Sequence, residues 1–287
     1  MQEFLLAFFL SYVVHTLGLT IGYHRLLSHR SFHCSKAVEY FFVASGYLAF
    51  QTSPIWWATL HRAHHRYSDT AKDPHALMYG FRRCVYGWIF DEKYPDHIDP
   101  EVMSKDLIKD PVYRFLDQGG NVQRGHILNG FLCFLFRVPI LMIWGLPAAL
   151  GSLAAGLIIQ QVTLYFNLLS HIPKIGYRNF ATTDDSVNNF WLALITMGEG
   201  WHNNHHGCPG SAKAGMRVEE IDPAWYTIAF LRKIGLVSWA NDTAFEQHCE
   251  KLARKALGEV LNISVVPSLV ESPVEPIPVP VSASSAK

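Results

Sequence analysis

The chain has 287 residues, of which 49% are hydrophobic and 17% charged, and its 24 Lys and Arg balance its 24 Asp and Glu. A soluble protein is usually about a quarter charged, so the composition leans apolar, and a net charge of zero argues against a nucleic-acid partner. Five cysteines, Cys34, Cys84, Cys133, Cys208 and Cys249, are odd in number and form no CxxC pair. That argues against a disulfide framework or a zinc ribbon, and the thiols read as reduced and structural. Histidine is the outlier, with 15 residues.

Residues 4–21, FLLAFFLSYVVHTLGLTI, are nearly uncharged and long enough to cross a bilayer, which predicts a span over about 4–22. They carry no basic leader and no A-x-A site, so a cleaved signal peptide is a poor reading. Residues 37–50, AVEYFFVASGYLAF, are apolar but short and contain Glu39, which suits an interfacial helix. Residues 68–125 are polar and punctuated by Asp, Pro and Gly. Residues 127–170 form a long apolar block broken at Gly145-Leu146-Pro147, predicting spans over 127–144 and 148–170 joined by a tight turn. Residues 187–201 and 222–235 read as amphipathic helices. The pattern divides the chain into one domain over 1–245, a helix over 246–263 and a disordered proline-rich tail over 264–287. Lys and Arg are absent from 1–23 and from the 145–147 turn but common in 25–124 and 174–233. The positive-inside rule therefore puts the latter regions on the cytoplasmic face.

Three histidine clusters stand out: His24-Arg-Leu-Leu-Ser-His29, His61-Arg-Ala-His64-His65 and His202-Asn-Asn-His205-His206. On a helix, positions i, i+3 and i+4 share a face, so His61, His64 and His65 are expected at one locus, and likewise His202, His205 and His206. Asn167 and His171 share a face at the end of the last apolar block. Imidazole suits iron, zinc and copper, and this many ligands favours a dinuclear centre over a single zinc. If 37–50 crossed the membrane, His29 and His61 would lie on opposite sides of about 30 Å of hydrocarbon. Keeping 37–50 on one side and folding 127–170 as a hairpin puts every cluster on the face that the charge bias selects. His15, His33, His97, His126 and His248 read as ordinary structural histidines.

The blocks GYHRLLSHRSF, SPIWWATLHRAHHRYSDTAKDPH and GEGWHNNHH, with the N-x-x-x-H element Asn167-Leu-Leu-Ser-His171, resemble those of the acyl-CoA and acyl-lipid fatty acid desaturases, the Δ9 stearoyl type especially. The resemblance covers roughly residues 12–240. It implies an all-α integral membrane protein whose transmembrane helices carry a cytoplasmic helical cap with a histidine-ligated centre of two ferrous ions. The implied ligands are His24, His29, His61, His64, His65, His171, His202, His205 and His206, with Asn167 acting through a water. Gln51 and Trp57 match tunnel-lining positions, although Trp57 reads equally well as an interfacial aromatic. Asp69, Asp73 and His75 match an acidic stretch that either orients ligands or caps a turn. Relatives usually carry an apolar hairpin before the first box, whereas one span precedes His24 here.

The reaction so implied is O2-dependent insertion of a cis double bond, Δ9 by family default, into a saturated chain carried on CoA or a glycerolipid. A membrane hydroxylase on the same centre is the alternative, and a metal sensor or transporter a more distant one. The sequence has no dinucleotide fingerprint, no H-P-G-G haem element and no iron–sulfur cysteine set, so a separate ferredoxin or cytochrome b5-type electron donor is expected. Arg82, Arg83, Lys105, Lys109 and Arg124 are candidate docking charges, though a solvated face explains them equally well.

Overall fold

The computed structural model describes residues 1–250, and the architecture below concerns the unit Met1–Phe245. The expected tail and most of the expected helix over 246–263 lie outside the described residues.

Helix α1 (Gln2–Leu17) runs without a break into a π-helical segment, Gly18–Ser28, making a continuous rod of 27 residues. α2 (Lys36–Tyr47) starts at Ser35, whose hydroxyl accepts from the Val38 amide. α3 (Pro54–Tyr67) starts at Ser53, which accepts from the amides of Ile55 and Trp56, with Pro54 in the first turn, where its missing N–H costs nothing. Short helical turns fill the polar region up to Asn121. That residue caps α4 (Val122–Ser170), accepting from the Arg124 amide. α5 (Phe190–Ile195), α6 (His202–Gly207) and α7 (Pro223–Lys233) follow, α5 being shorter than the 187–201 expected.

α4 is a hairpin. Gly145 sits at φ 80°, ψ 175°, a backbone conformation that a side chain would strain. The Arg137 guanidinium donates to the Ser152 carbonyl at 3.1 Å, although 15 residues of straight helix would separate them by roughly 22 Å. The two limbs therefore lie side by side. Outward-facing residues on the hairpin and α1 are large and apolar, among them Phe9, Phe131, Leu141, Met142, Ile143 and Trp144. Among the described residues, the rod Gln2–Ser28 and α4 are the two helices long and apolar enough to cross a membrane.

The all-α expectation needs one correction. Phe32–Cys34 (β1) pairs antiparallel with Val237–Ala240 (β2), Phe32 opposite Ala240 and His33 opposite Trp239, with a register shift between His33 and Cys34. Strands of three and four residues are too short to show alternation in the sequence. The Asn241 amide extends the pairing to the Ser31 carbonyl at 2.8 Å. This ribbon fixes the chain directly after His29. On the other side, α2 packs closely against the π segment at Gly22: a Cβ there would lie 2.8 Å from the Phe42 carbonyl carbon. One core gathers Tyr23, Phe32, Phe42, Ile55, Tyr113 and Ile228 beneath α2. A second is built on Trp56, stacked on Trp88 at 5.2 Å, with Val85 and Leu164.

Candidate metal centre

The π segment explains the spacing of the first cluster. In an α-helix, residues five apart point in well-separated directions, whereas i→i+5 bonding brings them into line. The His29 amide donates to the His24 carbonyl at 3.2 Å, and the two rings meet edge to face at 4.8 Å.

The nine clustered histidines fall into two groups. The ligand nitrogens of His24, His29, His61, His65 and His205 lie within 4.8 Å of one another, as do those of His64, His171, His202 and His206. This corrects the expectation that each H-x-x-H-H cluster serves one locus. His61 and His65, four apart on α3, face the first group, while His64 turns to the second. In α6 the pair four apart, His202 and His206, faces the second group, while His205 turns to the first. Each His-His dipeptide thus straddles both groups, because consecutive helical residues point about 100° apart. The groups share a border, with the rings of His65 and His206 4.4 Å apart.

The geometry of the nitrogens fits metal binding. His205 Nε2 has two nitrogen neighbours, His24 Nε2 at 3.0 Å and His65 Nε2 at 2.9 Å. A neutral imidazole nitrogen offers either one N–H or one lone pair, so hydrogen bonding serves only one of them well. A shared cation serves all three. His29 and His61 Nε2 are 2.8 Å apart, and His171 and His202 Nε2 3.1 Å. Two ligands at right angles, each about 2.1 Å from a metal, are about 3.0 Å apart, against about 3.4 Å for a tetrahedron. These separations are of the order expected between ligands that share one metal ion. His64 Nε2 and His206 Nε2 are buried without a hydrogen-bond partner.

Carboxylates hold the outer nitrogens of four of these histidines. His64 Nδ1 bonds Asp73 at 2.9 Å, His171 Nδ1 bonds Asp69 at 2.8 Å, and His206 Nδ1 bonds Asp184 at 2.8 Å. His24 Nδ1 pairs with Glu199. A carboxylate there fixes the tautomer, leaving Nε2 as the free lone pair. Burial, reinforced by neighbouring imidazoles, holds His29, His61, His65, His202 and His205 well below the ordinary imidazole range. Burial also lowers His206 to about 4, although Asp184 opposes it. Neutral imidazoles are the ligand form. Burial would raise Asp73 and Asp184, but their histidine partners outweigh it and keep both below the usual carboxylate range.

Asp69 and Asp73 thus contact clustered histidines directly. His75 lies beside them: burial drives it down to about 3, its Nδ1 faces Asp73 at 3.4 Å, and its Nε2 accepts from the Asn167 amide at 3.5 Å. Sequence reasoning missed Glu199 and Asp184, which come from loops without periodicity, and the two asparagines inside HNNHH. Asn203 Oδ1 accepts from the Asn179 and Phe180 amides, and Asn204 donates to Glu220 at 2.7 Å and to the Ala214 carbonyl at 3.0 Å. These bonds hold a six-residue helix that could not persist alone. Arg25, also missed, is buried and donates to both oxygens of Asp222, to Glu199 and to the Ala212 carbonyl.

An apolar cleft leads to the histidines, enclosing about 780 Å³ of empty space, part of it open to solvent. One face of the first rod (Tyr12, Thr16, Leu19, Thr20) and one face of α4 (Ile159, Val162, Thr163, Phe166) line it, and His24, His61 and His202 stand in its wall. Trp57 lines it too, its ring stacked on His61 at 4.9 Å. Gln51 does not. It lies in a side recess sharing the walls Trp56, Trp57, Trp88 and Thr163, with its amide donating to the Ala49 carbonyl.

Two histidine groups able to hold metal stand beside an apolar cleft, an arrangement suited to acting on an apolar chain. Residues 3–233 match the fatty acid desaturase family, and the chain belongs to it. Membership places it among oxidoreductases that act on acyl chains. It is 37% identical over 232 residues to an sn-1 stearoyl-lipid 9-desaturase of Anabaena variabilis, covering 81% of each protein. It is 37% identical over 241 residues to an acyl-CoA C20 Δ5-desaturase of Anemone leveillei, covering 83% of this chain and 73% of that protein. A probable chloroplastic lipid desaturase of Arabidopsis thaliana is 38% identical over 221 residues, which is 77% of this chain and 58% of that protein's length.

Proposed function

We propose that the chain is an O2-dependent di-iron desaturase that introduces a cis double bond, at Δ9, into a saturated acyl chain lying in the cleft. The observation that carries this is the convergence of two imidazole groups on the wall of an apolar cleft. His24, His29, His61, His65 and His205 would hold one iron. His64, His171, His202 and His206 would hold the other, with Asn167 reaching it through a water. The irons, when bound, would activate O2, the oxidant that removes two hydrogens from an unactivated methylene pair. The balance is R-CH2-CH2-R′ + O2 + 2e⁻ + 2H⁺ → R-CH=CH-R′ + 2H2O.

The protein's own part is placement. The rod and α4 wall the chain, Trp57 packs next to His61, and carboxylates hold His64, His171 and His206 by their outer nitrogens. The apolar outer surfaces of the rod and hairpin support a multi-pass membrane protein with this centre on the cytoplasmic face, and a separate ferredoxin or cytochrome b5-type protein supplies the electrons. Similarity to the stearoyl-lipid 9-desaturase favours Δ9, while the acyl-CoA Δ5 relative keeps both carriers, CoA and glycerolipid, as substrates to test. The test is expression in a desaturase-deficient host, with fatty acids identified by gas chromatography and double-bond mapping. A Δ9 olefin supports the reading. Hydroxylated lipid, or unchanged lipid from an iron-loaded chain with a supplied donor, overturns it.

A further inference from the structure

We propose that the two halves of the centre are electrostatically unequal, so that in the one-electron-oxidised state the ferric ion sits in the four-histidine half and an arriving electron reduces the five-histidine half first. This rests on the di-iron reading above.

The asymmetry lies in what binds the outer nitrogens. In the four-histidine half, three of four rings bond a carboxylate: His64 to Asp73, His171 to Asp69 and His206 to Asp184. The remaining contacts of these carboxylates are with neutral groups. Asp69 accepts from the Asp185 amide, Asp73 from the amides of Asp69 and His75 and faces the His75 ring, and Asp184 accepts from the Thr182 hydroxyl and the Ser186 amide. Among the described residues, no Lys or Arg side chain pairs with any of the three. In the five-histidine half, only His24 has a carboxylate partner among the described residues. That partner, Glu199, is shared with the buried Arg25 guanidinium at 3.2 Å. Arg62, whose guanidinium donates to the Leu27 and Ser28 carbonyls just before His29, adds a second cation on this side, paired with Asp106.

The four-histidine half therefore faces three uncompensated negative charges and the other half a compensated one. Carboxylates on Nδ1–H make the imidazoles more basic and more anionic as ligands. Their charge also favours the ion of higher charge, with little water to screen it. Both effects have one sign: they stabilise the ferric ion, and lower the reduction potential, on the four-histidine side. Adding one electron to the diferric centre then yields a ferrous ion in the five-histidine half, and a second electron completes the reduction.

The test uses full-length protein loaded with 57Fe, reduced stepwise with dithionite and followed by Mössbauer spectroscopy. The expected result is two resolved one-electron couples. Asp184→Asn should raise the midpoint of the couple reduced second and leave the first in place, while Glu199→Gln should raise the one reduced first. Asp69→Asn, acting on His171, repeats the Asp184 test should that variant lose iron. The inference is overturned if Asp184→Asn or Asp69→Asn moves the first couple, if Glu199→Gln moves the second, or if the irons reduce in one unresolved step. A wild-type chain without two irons overturns the di-iron reading and this inference together, whereas two irons with the opposite assignment overturn this inference alone.

Discussion

Replacing Arg25 by Met removes the charge that ties the first histidine cluster to the third while preserving an unbranched stem of similar bulk. Its guanidinium makes four hydrogen bonds: to Asp222 at 2.9 and 3.0 Å, to the Ala212 carbonyl at 2.8 Å and to Glu199 at 3.2 Å. Asp222 also accepts from the amides of Ala214, Gly215 and Trp225, so it cannot swing out to solvent when its cation is lost. With the side chains of Arg25 and Asp222 only 3% and 1% exposed, the variant strands a buried carboxylate. Breaking such a pair from one side costs about 3–5 kcal/mol. At roughly 2–4 °C per kcal/mol for a fold of this size, the expected fall in melting temperature is roughly 6–20 °C. Differential scanning fluorimetry of the detergent-solubilised protein measures this, with metal content read on the same sample. Adding Asp222→Asn to Arg25→Met should recover part of the loss, because the stranded charge is gone while a side-chain oxygen remains to accept from the backbone amides. A single variant melting within about 3 °C of wild type, equivalent to about 1 kcal/mol, would refute the reasoning.

His64→Ala should abolish product and at least halve the iron per chain, since it opens the four-histidine half; retained activity with full iron, by mass spectrometry, contradicts its role as a ligand. Acid should strip the metal. Imidazoles held below 6.5 in the fold stay neutral while the unfolded chain takes up protons, so stability is complete above about pH 6.5 and is lost as the pH falls. For His206, depressed to about 4, the full effect is about 3 kcal/mol, reached below that pH, and metal retention against pH measures the window. Gly22→Ala drives a methyl group into the Phe42 backbone and should cost about 1–3 kcal/mol, read as a lowered melting temperature.

The histidines were legible because short motifs carry them and because their number exceeds what one metal can use. The way they divide was not, since whether His64 joins His61 depends on α3 lying between both groups, a tertiary fact. The five-residue spacing of HRLLSH gave no shared α-helical face, and the π segment that brings His24 and His29 together packs against α2 at Gly22 and leads into the ribbon beyond Ser31. Glu199 and Asp184 lie in loops where no period marks them, although Glu199 stands three residues before His202. Gln51 is close to the cleft in sequence terms, yet its amide is turned to the Ala49 carbonyl in the side recess. A short helix near 37–50, found as Lys36–Tyr47, and the break at Gly145 were readable from length, Glu39 and the Gly-Leu-Pro step.

The central claim is that nine histidines form two metal sites, five ligands in one and four in the other. Metal analysis of the purified full-length chain by inductively coupled plasma mass spectrometry tests it most directly. The expected content is two irons per chain, falling to about one in a variant that disrupts a single half. One metal ion per chain, or zinc in place of iron, would contradict it.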